Sequence, residues 1–294
     1  MLYCNKSKSH KDIMSTFQQN PARVKRIVNF SKQRLTRLAN EAHVTNWEKY
    51  LAPENQLNDL NQVMWQFASS LQNRQHASNV IKIRENEKVL RKILFDFDPH
   101  AIYKKYRSPD EVYAKFLTDL KINPLSKTWK DYAKYLCSAA NFLNKFKDVN
   151  DFKEFLNKFS YNTYTKTALP MLLDKEIEGF GFALACDCLK ELGFKEYPKP
   201  DVHIIAILEE LGFLDKQTKS SEKPYQTYKI IIEMAEQAEN CSAYCLDKLL
   251  WLNCTGKFYE DFDDSSKGPL KIKKANTSRE EFISELKKEL NKKF

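Results

Sequence analysis

Apolar residues recur along this chain at spacings of three and four, with polar residues between them, and no stretch alternates convincingly as a strand would. The pattern predicts helices almost throughout. Helical runs are expected over 21–42, 55–71 and 80–95. Ser108-Pro109-Asp110-Glu111 reads as a capping box with proline at the first helical position, opening a helix that runs to Leu120. Thr128 and Asp131 start a long helix carrying Trp129, Tyr132, Tyr135, Leu136 and Phe142, and a shorter one follows over 152–159. Towards the end of the chain the same spacing predicts helices over 225–238 and 242–252, with Gly256 in the turn beyond them.

The most informative stretch lies between these. Ala168, Leu169, Leu172 and Leu173 give the 164–176 segment one apolar face. Gly179-Phe180-Gly181 follows, in a chain with only six glycines, and a second helical pattern begins directly after it. A helix, a tight glycine turn and a helix leave free backbone amides and a positive dipole end pointing at solvent, which together form an anion site. Ile177 and Leu184 flank the turn, and Ala185 supplies a small side chain where the two helices approach. Beyond it, Lys199-Pro200-Asp201-Val202-His203 opens an apolar run of Ile204, Ile205, Ile207 and Leu208 that ends at Gly212. Asp201 therefore stands at an N-cap or first-turn position.

Apolar-x-Gly-apolar-Gly-x-x-x-Ala, with Pro-Asp-x-His about twenty residues later, resembles the helix-hairpin-helix DNA glycosylases of the endonuclease III superfamily. The resemblance extends in general character over 129–259 and is specific between Ile177 and Ile204. It implies an all-α fold, a two-lobed helical bundle with a base-binding cleft between the lobes. It also implies that Gly179, Phe180, Gly181 and Ala183 grip the DNA backbone and that Asp201 is the catalytic aspartate. Members that also cut the strand carry a lysine two residues after the second glycine, eighteen positions before the aspartate. Here that position is Ala183, and Asp201 keeps the spacing. The resemblance therefore implies a monofunctional glycosylase in which Asp201 works with water.

A carboxylate suits this chemistry because breaking an N-glycosidic bond builds oxocarbenium character on the sugar, which a nearby anion stabilises while it orients the attacking water. His203 is a candidate supporting residue. Trp129, Tyr132 and Trp251, with Tyr259, are candidates for a pocket that stacks on an extruded base. Two alternatives stay open: a non-catalytic DNA-binding protein in which Asp201 is only a cap, and a bifunctional glycosylase and lyase drawing its amine from Lys175 or Lys190.

Composition fits this picture. The net charge of +9 favours an anionic partner, expected to be double-stranded DNA. Arg23, Lys25, Arg26, Lys32, Arg34 and Arg37 form a basic stretch that could add phosphate contacts or could be a solvated helix face. No apolar run approaches a membrane span and no secretory core follows the basic N-terminus, so a monomer located in the cytoplasm, on the nucleoid or in the nucleus, without membrane contact, is expected. Seven scattered cysteines read as reduced, mostly buried thiols. Cys241, Cys245 and Cys254 lack the spacing and the fourth member of an iron-sulfur or zinc site, so no metal and no cofactor is expected. Three regions are expected: an N-terminal helical region at 1–105, a glycosylase-like core at 106–262, and a basic tail at 263–294. The tail should begin with the polar turn Asp263-Asp264-Ser265-Ser266 and continue as an exposed lysine-rich helix capped by Ser278 and Glu281.

Overall fold

The computed structural model describes residues 20–52, 57–74, 77–259 and 272–292. The fold is all-α apart from one short hairpin. In chain order the helices are α1 (Pro21–Glu41), α2 (Leu60–Leu71), α3 (Ser78–Ile81), α4 (Glu87–Ile93), α5 (Pro99–Lys105), α6 (Pro109–Asp119), α7 (Lys127–Leu143), α8 (Val149–Asn157), α9 (Thr163–Glu176), α10 (Phe182–Glu191), α11 (Val202–Glu210), α12 (Lys223–Gln237), α13 (Ala243–Thr255) and α14 (Arg279–Asn291), with single 3-10 turns at Trp47–Leu51 and Phe95–Phe97. Strands β1 (Lys257–Tyr259) and β2 (Ile272–Lys274) pair antiparallel, with Phe258 opposite Lys273. The turn expected at 263–266 lies outside the described residues.

Two compact units organise the chain, and they do not follow the boundaries expected at 105 and 262. One unit runs from 53 to 199, and the other joins 1–52 to 200–294. Helix periodicity locates faces but carries no information on which distant faces meet, which is why the N- and C-terminal segments were not expected to share a core.

In the 53–199 unit, α7 packs against α2, α5 and α6. Its apolar face is aromatic: Phe67 of α2 meets Phe142, Phe152 and Phe180 within 6.5 Å, and Phe116 of α6 meets Trp129 and Tyr132. The helix expected over 80–95 is broken. Lys82 adopts a left-handed conformation (φ 48°), Asn86 donates its side-chain amide to the Ile81 carbonyl at 2.9 Å, and Gln72 accepts the Ile83 amide, so side chains take over the backbone bonds that a continuous helix would have made. Ser108 precedes α6 as expected, but its hydroxyl makes no cap bond, and Glu111 accepts the Arg107 amide instead. A reciprocal capping box occurs at the start of α9, between Asn162 and Thr165.

In the other unit, α13 lies against α1, α11, α12 and α14. Helix α14 is capped by Ser278, whose Oγ accepts the Glu281 amide, but it is no exposed appendage. Phe282, Ile283 and Leu286 are buried along one face, and Glu285 on the same helix binds Arg34 of α1. The Arg34 side chain is 1% exposed. It donates to the Asn253 carbonyl, Thr277 Oγ1 and Glu285, joining α1, α13 and α14. The basic stretch of α1 is thereby largely committed inside the unit. Arg23 donates to the Leu211 carbonyl at 2.7 Å, Arg26 donates to the Glu289 carbonyl, Arg37 pairs with Glu285, and Lys25 pairs with Glu239. Replacing Arg34 with Met should cost about 2 to 3 kcal/mol in unfolding free energy by chemical denaturation, because it removes a buried charged donor that bonds the Asn253 carbonyl, Thr277 and Glu285 at once.

Candidate nucleic-acid interface

Helix α9 ends where Gly179 takes φ +98°, a conformation L side chains rarely adopt. Space demands glycine there as well, since a Cβ would lie 2.5 Å from the Tyr135 ring of α7. Ser138, also on α7, splints the entry to the turn by accepting the Glu178 amide at 2.8 Å. The Phe180 amide donates to the Ile177 carbonyl, and its ring is buried against Phe67 with centroids 5.4 Å apart. Phe180 is thus a core anchor that fixes the turn, and neither its ring nor its amide is open to a ligand, contrary to the backbone-gripping role expected of it.

Gly181 is different. It is the exposed N-cap of α10 at φ −120°, ordinary extended backbone, and no protein atom lies within 4 Å of where its Cβ would be. No side chain caps the helix there. The Gly181 and Ala183 amides make no backbone hydrogen bond among the described residues. The first turn of α10 therefore presents donors and the positive end of a helix dipole, an arrangement that receives an anion.

Further along α10, Asp187 is buried between two ammonium groups, Lys190 at 3.2 Å and Lys199 at 2.8 Å. Burial alone would push its carboxyl up, and the two lysines more than offset this, holding it well below the usual carboxylate range. Lys190, one of the two amines considered for a lyase step, is 6% exposed and occupied in this cluster; Lys175 is 81% exposed beside Asp174. Sequence reasoning missed the cluster, although the spacing of three between Asp187 and Lys190 is the signal that could have shown it.

In the other unit, Asp201 is the N-cap of α11. Its Oδ1 accepts the His203 amide at 2.9 Å and the Ile204 amide at 3.1 Å. Among the described residues no protein donor reaches Oδ2. The residue is half-buried, and its Oδ1 is fixed by the helix. Burial and then the Asp201 charge push the thiol of Cys254, on α13, up to about 12. His203 contributes its amide to the Asp201 cap, while its Nδ1 is buried without a hydrogen-bond partner.

Two of the expected pocket aromatics belong to the core. Trp129 and Tyr132 are 4% and 2% exposed, and the Tyr132 hydroxyl donates to the Ala68 carbonyl at 2.9 Å. A helical aromatic stripe reads the same from sequence whether it faces a pocket or another helix, and here it faces α6 and α2. Trp251 is half-buried and stacks on Tyr259 at 6.1 Å and 20°. Among the described residues no group of three or more His, Cys, Asp or Glu is placed to hold a metal ion, and no helix is long and apolar enough to cross a membrane.

No family model and no curated protein matches the chain. Among solved structures it is similar to the Methanocaldococcus jannaschii 8-oxoguanine glycosylase/lyase, crystallised with a 15mer DNA containing 8-oxoguanine. The identity is 16%, the TM-score is 0.47, and the match covers 75% of this chain and 94% of that one.

Gly179→Ala should lower unfolding free energy by about 2 kcal/mol, from backbone strain and the Tyr135 clash, whereas Gly181→Ala should change it by no more than about 0.5 kcal/mol. Chemical denaturation of the two variants side by side checks this contrast. Asp187 has a depressed folded pKa, so its contribution to stability is present above its unfolded value near about 3.9 and is lost as pH falls below it. Asp187→Asn should cost about 3 kcal/mol at neutral pH by taking from the buried Lys190 its nearer carboxylate partner. The same substitution should flatten the acid limb of a denaturation series run across pH.

Proposed function

We propose that the protein is a DNA glycosylase that hydrolyses the N-glycosidic bond of a damaged or modified base extruded from double-stranded DNA, acting as a monomer inside the cell. The observation that carries this reading is Asp201, a half-buried carboxylate with Oδ1 held by two helix amides and Oδ2 without a protein donor. A fixed carboxylate with one oxygen lacking a protein donor can face developing positive charge on a sugar and orient a water towards its anomeric carbon. The turn at Gly179–Gly181 supports the DNA part of the reading. Its exposed glycine and the first amides of α10 suit a backbone phosphate, a contact that positions DNA without reading sequence.

The reaction is monofunctional in this reading. Ala183 stands where the resembling family's lyases carry their amine, and the buried Lys190 is engaged with Asp187 at 3.2 Å. A second reading, DNA binding without catalysis, is favoured by the cap bonds of Asp201, since an N-cap needs nothing more to explain it.

One comparison separates the two. Asn caps a helix about as well as Asp, so Asp201→Asn keeps the fold while removing the charge. Incubated with alkylated, oxidised and deaminated duplex DNA, the wild type should release a free base detectable by mass spectrometry, and Asp201→Asn should release it at least ~100-fold more slowly with DNA affinity retained. Equal release by both proteins, or none by either on any substrate, overturns the catalytic role. Borohydride added during the reaction should trap no protein–DNA adduct; a trapped adduct would mean that an amine takes part.

A further inference from the structure

The corner between α12 and α13 holds two thiols that the proposed hydrolysis does not use. Cys241 lies just before the Ser242 N-cap and Cys245 in the first turn of α13, with their Sγ atoms 2.8 Å apart. Ser242 accepts the Cys245 amide at 3.1 Å, which fixes the turn that brings the sulfurs together. The residues are 5% and 7% exposed. That opening suits an oxidant of a few atoms and not a glutathione or protein disulfide.

We propose that Cys241 and Cys245 are a peroxide-reactive dithiol that closes to a disulfide across the N-terminal end of α13. The Cys245 thiolate attacks one oxygen of hydrogen peroxide, forming an S–O bond as the O–O bond breaks and hydroxide leaves, which takes up a proton to become water. Cys241 then attacks the sulfenic sulfur, the S–S bond forms, the S–O bond breaks, and a second water departs with the Cys241 proton. Two thiols and one peroxide become one disulfide and two waters; each sulfur loses one electron and each peroxide oxygen gains one.

The surroundings select Cys245 as the attacking sulfur. It sits at a helix N-terminus, where the dipole favours a thiolate. The hydrogen bond it accepts from Cys241 holds its thiol below the usual range against the opposing effect of burial, and Lys32 of α1 adds to the lowering. Cys241, as donor, is pushed up and remains protonated until Cys245 has reacted. At Cys137 and Cys254 burial prevails: it pushes Cys137 up to about 11 and Cys254 up to about 12, which leaves both as weak nucleophiles. This inference does not depend on the glycosylase reading.

The test uses the full chain, reduced, exposed to hydrogen peroxide, then unfolded in iodoacetamide and mapped by mass spectrometry without reductant. Cys241 and Cys245 should escape alkylation together and appear as a linked species lighter by about 2 Da, reversed by dithiothreitol, while Cys137, Cys186, Cys188 and Cys254 remain alkylated. In Cys241→Ser, dimedone should label Cys245 as the sulfenic acid. Alkylation persisting at both positions, or oxidation falling first on Cys137 or Cys254, overturns the proposal. The disulfide map of the wild type decides the matter even if the serine variant does not fold.

Discussion

A buried carboxylate between two ammonium groups is the constraint on which the organisation of the 53–199 unit turns. Asp187 lies on α10 six positions after Gly181, and its partners come from its own helix, Lys190, and from the last residue of the unit, Lys199. Burying Asp187 and Lys190 is costly unless each is compensated, and here Lys190 and the half-buried Lys199 share one acid tightly enough to hold its proton off. The cluster ties the chain that leaves the unit back to the helix following the glycine turn. Asp201 is two residues beyond Lys199. The same cluster engages the buried Lys190, so one electrostatic arrangement orders both the helix and the segment that follows it.

Charge elsewhere is also spent on the fold before any partner is met. The basic stretch of α1 reads either as phosphate contacts or as a solvated face, yet Arg34 is wholly enclosed and Arg23, Arg26 and Arg37 reach carbonyls or carboxylates of distant segments. Guanidinium groups are suited to this because one planar fork satisfies several acceptors at once. Arg34 does so across three helices. Formal charge counted along a sequence therefore overstates what remains for phosphate, and the positive end of α10, which carries no formal charge, gains weight as an anion site by comparison.

Much of the local structure was legible from residue order. Asp201, Ser242 and Ser278 cap the helices they precede, Gly179 takes the left-handed turn, and α7, α9 and α10 run where the apolar spacing placed them. What escaped is what depends on the identity of the opposing surface. Trp129 and Tyr132 looked like candidates for a pocket because an aromatic stripe carries no label for its neighbour, and α6 and α2 occupy it. Two signals were present and overlooked. Phe282, Ile283 and Leu286 give α14 a buried stripe, and Arg34 falls in register with Val24, Ile27, Ser31, Leu35 and Leu38 on the inner face of α1, where a charge must have a partner.

The two glycines of the turn differ in what the protein itself asks of them. Gly179 is explained twice over by the protein itself, through its backbone angle and through the Tyr135 ring that fills the space a side chain would need. Gly181 has neither excuse: any residue can adopt its angle, and nothing of the protein approaches it. Serine or aspartate at that N-cap would serve the helix better than glycine does. A side chain there would, however, occupy the space in front of the Gly181 and Ala183 amides, and a carboxylate would cancel the positive field that those amides create. Leaving the position bare gives up some helix stability and keeps the donors open. Under the proposed DNA contact, this compromise is what lets a phosphate meet the backbone itself.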